Sequence, residues 1–397
     1  MGLLAQQGYG KSDKIERGIR DGSLDGVILS PRDMSPSNMR SYIDELRREF
    51  GESPEIMMDP QFFASVLPDA TDRNLPDYPY FDSGLRRADF LSARTVSRYV
   101  RDAIDFQREL DVDFVLSPTI AFDSFSDVAN QTALQLGAES VENKDRIDGD
   151  QQLMVSFNLS EAALSDLDGI NEFLDITTSW NMDGLYLVVE PQDRSYPATL
   201  DADRLVNLMY MIYSWAELND LKVLLGYSDF IGLLLRSVGA ESQATGWFSG
   251  LRHFSRSRWQ PSAGGRAPRP RYSSGPLLNS ILKIPELSAA YQAGMVDDCL
   301  SDTIYDADFF SQNPADVDWP MNIQCLHHWE VLSQLGEAIV GDTVANNLEQ
   351  LVGTIQNAGT IYSGLLDAGV QFDRLSGQRH LGIWSQAIER FTSMVRL

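Results

Sequence analysis

Apolar positions along the chain fall into short unbroken runs. Each run closes on a polar residue and leads into a longer stretch with apolar residues three and four apart. GVILS (26–30) precedes a helical pattern over 36–50, and EIMMD (55–59) leads, after a long excursion, to TVSRYVRDAIDFQREL (95–110). DFVLS (113–117), LMVSF (153–157), GLYLVV (184–189) and KVLLG (222–226) each precede another amphipathic stretch. Runs that are apolar throughout mark strands buried on both faces, and a period near 3.6 marks helices. Their alternation predicts a parallel sheet covered by helices. Six units are clear. AESQAT (240–245) and PRYSS (270–274) are the candidates for a seventh and an eighth strand, which would close an α/β, (β/α)8 TIM-type barrel. A doubly wound open sheet is the alternative, but no GxGxxG follows the first strand.

Four of the runs end in a polar residue followed by proline: Ser30-Pro31, Asp59-Pro60, Ser117-Pro118 and Glu190-Pro191. Proline donates no ladder hydrogen bond and holds the residue before it extended, so each pair marks the last position of a strand. These side chains are expected on the carboxyl rim, where barrels build their sites. The segment 68–92, rich in Pro, Asp and aromatics, reads as an ordered excursion after the second run. From 285 onward the periodicity is largely helical. The expected organisation is a barrel over 1–284, with the 68–92 insertion and an Arg-rich loop at 246–272, and a carboxy-terminal helical lobe over 285–397 packed on it.

The formal net charge is −25, with 39 Asp against 18 Glu and 27 Arg against 5 Lys. Such a surface stays hydrated, suits high salt and disfavours broad binding to nucleic acid or anionic membrane. Two cysteines without a CxxC point to no disulfide framework and to a reducing cytoplasm. No apolar run is long enough for a membrane span, and the start carries no secretory pattern.

Several segments could carry chemistry. AQQGYGKS (5–12) is similar to the phosphate-binding GxxxxGK[ST], but four preceding residues are too few for a core strand, so it reads as a flexible amino terminus. At the rim, Asp59, Glu190 and Asp229 are the candidate catalytic carboxylates, able to divide acid and base roles if neighbours separate their pKa values. Asp33, with Ser35 and Ser37 close by, reads as a helix cap. Cys299, Cys325 and His328 could form a zinc site, Cys325 and His328 being three apart on one helix, but the spacing is no zinc signature and buried thiols are the simpler reading. No other metal or cofactor is expected.

The stretch SGLRHFSRSRWQPSAGGRAPRPRY (249–272) holds six arginines, and no acid occurs from 242 to 285. It falls after the seventh strand, a place where barrels bind phosphate. Arg252, Arg266, Arg269 and Arg271, with Arg32 from the rim, are the candidate phosphate ligands, and Trp247 the candidate stacking surface. The same arginines could instead neutralise neighbouring aspartates or tie the helical lobe to the barrel.

Barrel strands, a late basic and aromatic loop, and a Cys/His-bearing helical segment after it together resemble the arrangement of the tRNA-guanine transglycosylase family over about 22–341. The resemblance implies base exchange in nucleic acid on a TIM barrel, with rim aspartates and a zinc site. Here Gly239-Ala240-Glu241 leads into SQATG (242–246), with no aspartate at the nucleophile's place, and no CxCxxC is present. The expected function is an enzyme acting on a phosphate-bearing ligand, a nucleotide, RNA or DNA, with glycosidic-bond chemistry. The competing expectation is a non-catalytic barrel that docks a protein partner or a nucleic-acid backbone through the loop.

Overall fold

Eight parallel strands close on themselves: β1 (Leu3–Gln6), β2 (Gly26–Leu29), β3 (Glu55–Met58), β4 (Phe114–Leu116), β5 (Gln152–Ser160), β6 (Gly184–Glu190), β7 (Lys222–Gly226) and β8 (Ser242–Gly246). The computed structural model describes residues 2–10, 12–147, 149–193, 195–261, 264, 269–341 and 343–397. Neighbouring strands pair in order, and β1 meets β8 with Leu3 opposite Gln243 and Gln6 opposite Gly246, so the sheet has no free edge. Outside it run α1 (Lys14–Arg20), α2 (Pro36–Phe50), α3 (Ala93–Arg108), α4 (Val128–Glu142), α5 (Leu167–Thr177), α6 (Ala202–Ala216) and α7 (Ile231–Arg236). The chain ends in α8 (Ser288–Gln292), α9 (Met321–Ile339), α10 (Val344–Asp367) and α11 (Arg379–Val395). Among the described residues no helix is long and apolar enough to cross a membrane.

Two expectations are corrected at the closure. The first residues are a barrel strand, not a flexible terminus: Leu3, Leu4 and Ala5 are buried in the core, and Leu4, Ala5 and Gln6 pair on both sides. Four residues suffice because β2 and β3 are no longer. PRYSS, in turn, is not a barrel strand. Its residues form β9 (Arg271–Ser274), which pairs antiparallel with β10 (Asn279–Leu282) in a separate hairpin.

The part after 285 contributes to the barrel wall as well as standing outside it. α9 packs between α1 and α7 and against β1, the place of an eighth helix. Its Cys325, Leu326, His327, His328, Trp329 and Leu332 are all buried, as a helix clamped between the sheet and outer elements requires. α11 lies along α6, with Phe391 edge-on to Tyr213, and α10 bridges α9 and α11. The 68–92 excursion is ordered, with Leu75–Asp77 and Arg87–Leu91 in single 3-10 turns and Tyr78, Tyr80 and Phe90 buried beneath. Ser35 caps α2, its hydroxyl accepting from the Asn38 amide. Asp33, expected as that cap, is buried and receives Arg73 and Arg258 at 2.8 and 3.0 Å.

Leu4 is fully buried in the closing strand. Leu4→Ala is expected to lower stability by about 2–5 kcal/mol in urea unfolding. An unchanged midpoint would show that the first residues lie outside the barrel.

Candidate functional site

The carboxyl end of the barrel holds three separate polar clusters, each with one of the three candidate carboxylates. The first is luminal. Residues opposite each other in a parallel ladder share a face, so Ser156, beside Tyr186, points inward with it, and so does Asn158 two positions on. The inward direction is fixed by Tyr186, whose hydroxyl lies 3.4 Å from Gln6 Oε1 and 3.5 Å from Asp59 Oδ2. Gly226 is required here, because a Cβ at that position would collide with the Tyr186 ring. Asp59 Oδ1 accepts from the Gln61 amide at 2.9 Å. Burial pushes the Asp59 carboxyl up to about 6, against the Gln61 and Tyr186 hydrogen bonds, which pull it down. Over this cluster Phe63 packs edge to face on Phe254 and Trp259, which are tilted against each other, with centroids 4.9–5.3 Å apart, and Tyr227 joins Phe254 at 5.3 Å. Trp259 is completely buried and Phe254 nearly so, so the mouth is capped.

The second cluster ties the Arg-rich loop down. Glu190, at the end of β6, accepts from both the backbone amide and the Nε of Arg256, and the same guanidinium reaches Asp123 at 2.6 Å. Arg258 bonds to the buried Asp33. Arg32 is 4 % exposed, donates to the Arg258 carbonyl at 3.0 Å and to Thr71, and lies over the Trp259 ring. Burial holds its guanidinium down to about 10. Arg32, Arg256 and Arg258 therefore bolt the loop across the mouth.

The third cluster borders a cleft of about 430 Å³ lined by Tyr196, Trp247, Phe248, Arg252, Arg269, Arg271 and Met321, among others. Arg252 is buried. It donates to the Gly246 carbonyl and, at 3.1 Å, to the Tyr196 hydroxyl. Arg271 donates to the Ser280 carbonyl and to Ser376. Arg269 is exposed and pairs with Asp373 at 3.4 Å. Behind Tyr196, Asp229 lies 3.3 Å from His328 Nε2, and Ser273 Oγ lies 2.8 Å from His328 Nδ1. Burial, reinforced by Arg252 and His327, holds the imidazole well below its ordinary range, so the ring is neutral. Ser273 donates to Nδ1 of this neutral ring, and its Nε2 faces Thr245 Oγ1 at 3.4 Å as well as the Asp229 carboxylate. Burial raises the Asp229 carboxyl, while Arg252 and Tyr196 oppose that shift.

The structure thus sets Arg252, Arg269, Arg271 and Trp247 around one cleft, with Asp229 adjoining it. Asp59, Glu190 and Arg32 belong to other clusters, and Arg266 lies outside the described residues. Trp247 is 3 % exposed with the Lys14 ammonium 4.6 Å above its ring, so it serves chiefly as packing, while the half-buried Phe248 offers an open aromatic edge. Cys299, Cys325 and His328 form no zinc set. Both imidazole nitrogens of His328 are engaged, burial pushes the Cys299 thiol up to about 12, and among the described residues no group of three or more His, Cys, Asp or Glu could hold a metal ion. Sequence reading missed Tyr186 and Tyr196. Tyr186 hid in an apolar run, though Gly226 on the neighbouring strand was a signal that something large points inward.

No protein-family model matches the sequence, and no curated protein matches it. Among solved structures, the enoyl reductase domain of MlnA from the macrolactin biosynthesis cluster of Bacillus amyloliquefaciens aligns with 99 % of this chain and 94 % of its own, at 11 % identity and a TM-score of 0.28. A likeness at that score carries no argument about fold or function.

The Asp59 shift has a testable consequence. The native carboxyl keeps its proton up to about 6, whereas the ordinary value is 3.8, so between these values the native state binds more protons. Stability is then fully present below the lower value and falls as pH rises through the upper one. Asp59→Asn is expected to match the wild type near pH 3 and to exceed it above pH 7, by up to about 3 kcal/mol. Urea unfolding at both pH values checks this, and a difference that does not vary with pH would contradict it.

Proposed function

We propose that the protein binds a phosphate-bearing ligand of the nucleotide class in the cleft between the loop after β8 and the β9–β10 hairpin. The observation that carries this reading is the gathering of Arg252, Arg269 and Arg271 around one cleft of about 430 Å³. Among the described residues no carboxylate stands within 4 Å of the Arg252 or Arg271 guanidinium, although the chain has a formal charge of −25. Asp229 acts on Arg252, and Glu286 and Asp373 act on Arg271, only from beyond ion-pair distance, so an anion entering the cleft supplies the close contact that these two guanidinia lack. The loop after the last barrel strand is a recurrent phosphate site in this architecture. Phe248 and the exposed Met321 on the same lining supply apolar surface for a flat base.

The reaction we propose is cleavage or exchange at a glycosidic bond, in keeping with the resemblance noted in the sequence. Asp229 is the carboxylate nearest this chemistry, because it adjoins Tyr196 and Arg252, and its raised pKa suits delivery of a proton to a leaving base. Asp59 lies under the aromatic cap and Glu190 is bound to Arg256, so neither is assigned the role. RNA or DNA presents the same phosphates, but the acidic surface favours a short or single nucleotide over a long polymer.

Calorimetric titration with AMP and GMP against adenosine and guanosine tests the binding. The nucleotides are expected to bind at least about tenfold more tightly than the nucleosides, and Arg271→Ala to remove about 1.5–3 kcal/mol of that binding. Equal affinity for nucleotide and nucleoside, or binding indifferent to Arg271, would overturn the reading. Labelled single-stranded RNA and DNA in a salt series show whether a polymer uses the same site. Base release from the bound nucleotide, and its loss in Asp229→Asn, tests the chemistry.

A further inference from the structure

We propose that the carboxyl half of the barrel lumen, beneath Phe63, Phe254 and Trp259, is a second binding site, for a small neutral polyhydroxylated ligand of the sugar type. The inference stands apart from the arginine cleft and rests on the polar groups inside the barrel. Gln6, Tyr80, Ser156 and Asn158 are each at most 3 % exposed. Gln6 Nε2, the Tyr80 hydroxyl, Ser156 Oγ and both amide atoms of Asn158 have no hydrogen-bond partner among the described residues. Barrel interiors are ordinarily filled by branched aliphatic side chains, and buried polar groups are ordinarily satisfied. Here Gln6, Ser156 and Asn158 point into the same lumen as Tyr186 and Asp59, and Tyr80 stands close enough to Asp59 to sense its charge.

The kinds of group select the ligand. Asp59 Oδ2 has a single donor, Tyr186 at 3.5 Å, and among the described residues no Lys, Arg or His stands within 4 Å of it. A buried carboxylate excludes an anion. A bare cation would match Asp59 but would face the Gln6 and Asn158 amide nitrogens, which can only donate. Hydroxyl groups both donate and accept, so a polyol can give hydrogen bonds to Asp59 and Asn158 Oδ1 while receiving them from Gln6 Nε2, Tyr80 and Asn158 Nδ2. The aromatic cap provides flat apolar surface against the carbon face of such a ring. Phe254 and Trp259 belong to the loop that also bears Arg252, so one segment covers the lumen and borders the cleft.

Saturation-transfer NMR on the full chain, with D-ribose, D-glucose and myo-inositol as probes and choline and inorganic phosphate as controls, tests the proposal. At least one polyol is expected to bind saturably. Tyr80→Phe and Ser156→Ala each delete only an unpartnered hydroxyl and are expected to fold as the wild type does, since no native hydrogen bond is lost. Either change, and Asp59→Asn, should weaken polyol binding about tenfold. The proposal is overturned if no polyol binds saturably, if binding persists unchanged in all three variants, or if choline or phosphate alone competes for the site. Loss of binding to the arginine cleft in Arg271→Ala, with luminal binding intact, would confirm that the two sites are separate.

Discussion

A parallel sheet of eight strands carries two rows of unpaired amides and carbonyls until its first strand meets its last. In this chain the meeting falls to Leu3–Gln6 and Ser242–Gly246. The consequences reach well beyond the ladder. Closure brings Gln6 into the lumen, where it meets Tyr186 from the opposite side. It also sets α9 behind the seam, so that a helix from the last quarter of the chain covers the junction between the beginning and the middle. Trp329 of that helix donates to the Thr245 carbonyl, and His328 reaches Thr245 and Asp229 from the same face.

The Arg-rich loop resolves into two populations with different work. Arg256 and Arg258 are consumed by Glu190, Asp123 and Asp33, and these contacts hold the loop over the mouth. The buried Arg252 and half-buried Arg271 instead bond to carbonyls and hydroxyls, which stabilise a guanidinium without cancelling its charge. The positive charge left in the cleft is thus a result of partner type rather than of the number of arginines. Neutralisation of aspartates and glutamate, one expectation for the stretch, describes Arg256 and Arg258, while the anion site proposed above concerns Arg252 and Arg271.

The polar rim likewise divides by surroundings. Asp59, Glu190 and Asp229 all terminate or follow barrel strands, and all three are nearly inaccessible. Glu190 meets a cation, Asp229 meets a neutral imidazole and a tyrosine, and Asp59 meets only tyrosine and amide groups. Burial therefore raises Asp59 and Asp229 in spite of the hydrogen bonds to both and the Arg252 charge beside Asp229, which pull the other way. Three similar carboxylates end with three different chemistries because each loop that covers them brings a different partner.

Much of the architecture was legible in the pattern of residues. Six strands stood at the unbroken apolar runs, because a strand buried on both faces is apolar along its length, and AESQAT was a candidate for a seventh. The helices followed from three- and four-residue spacing, and the arginines after β8 from composition alone. Closure was not legible. LLAQ at the start and RYSS at 271 are both short, partly apolar runs, and only the geometry of the ring decided which completes it. Nor could the order of residues say which arginine would find an aspartate, that α9 would become the eighth helix, or that Tyr186 and Tyr80 would share a space with Asp59. A periodic pattern records which face of an element is buried. Which buried faces meet depends on contacts between residues far apart in the chain, and those exist only once the barrel has closed.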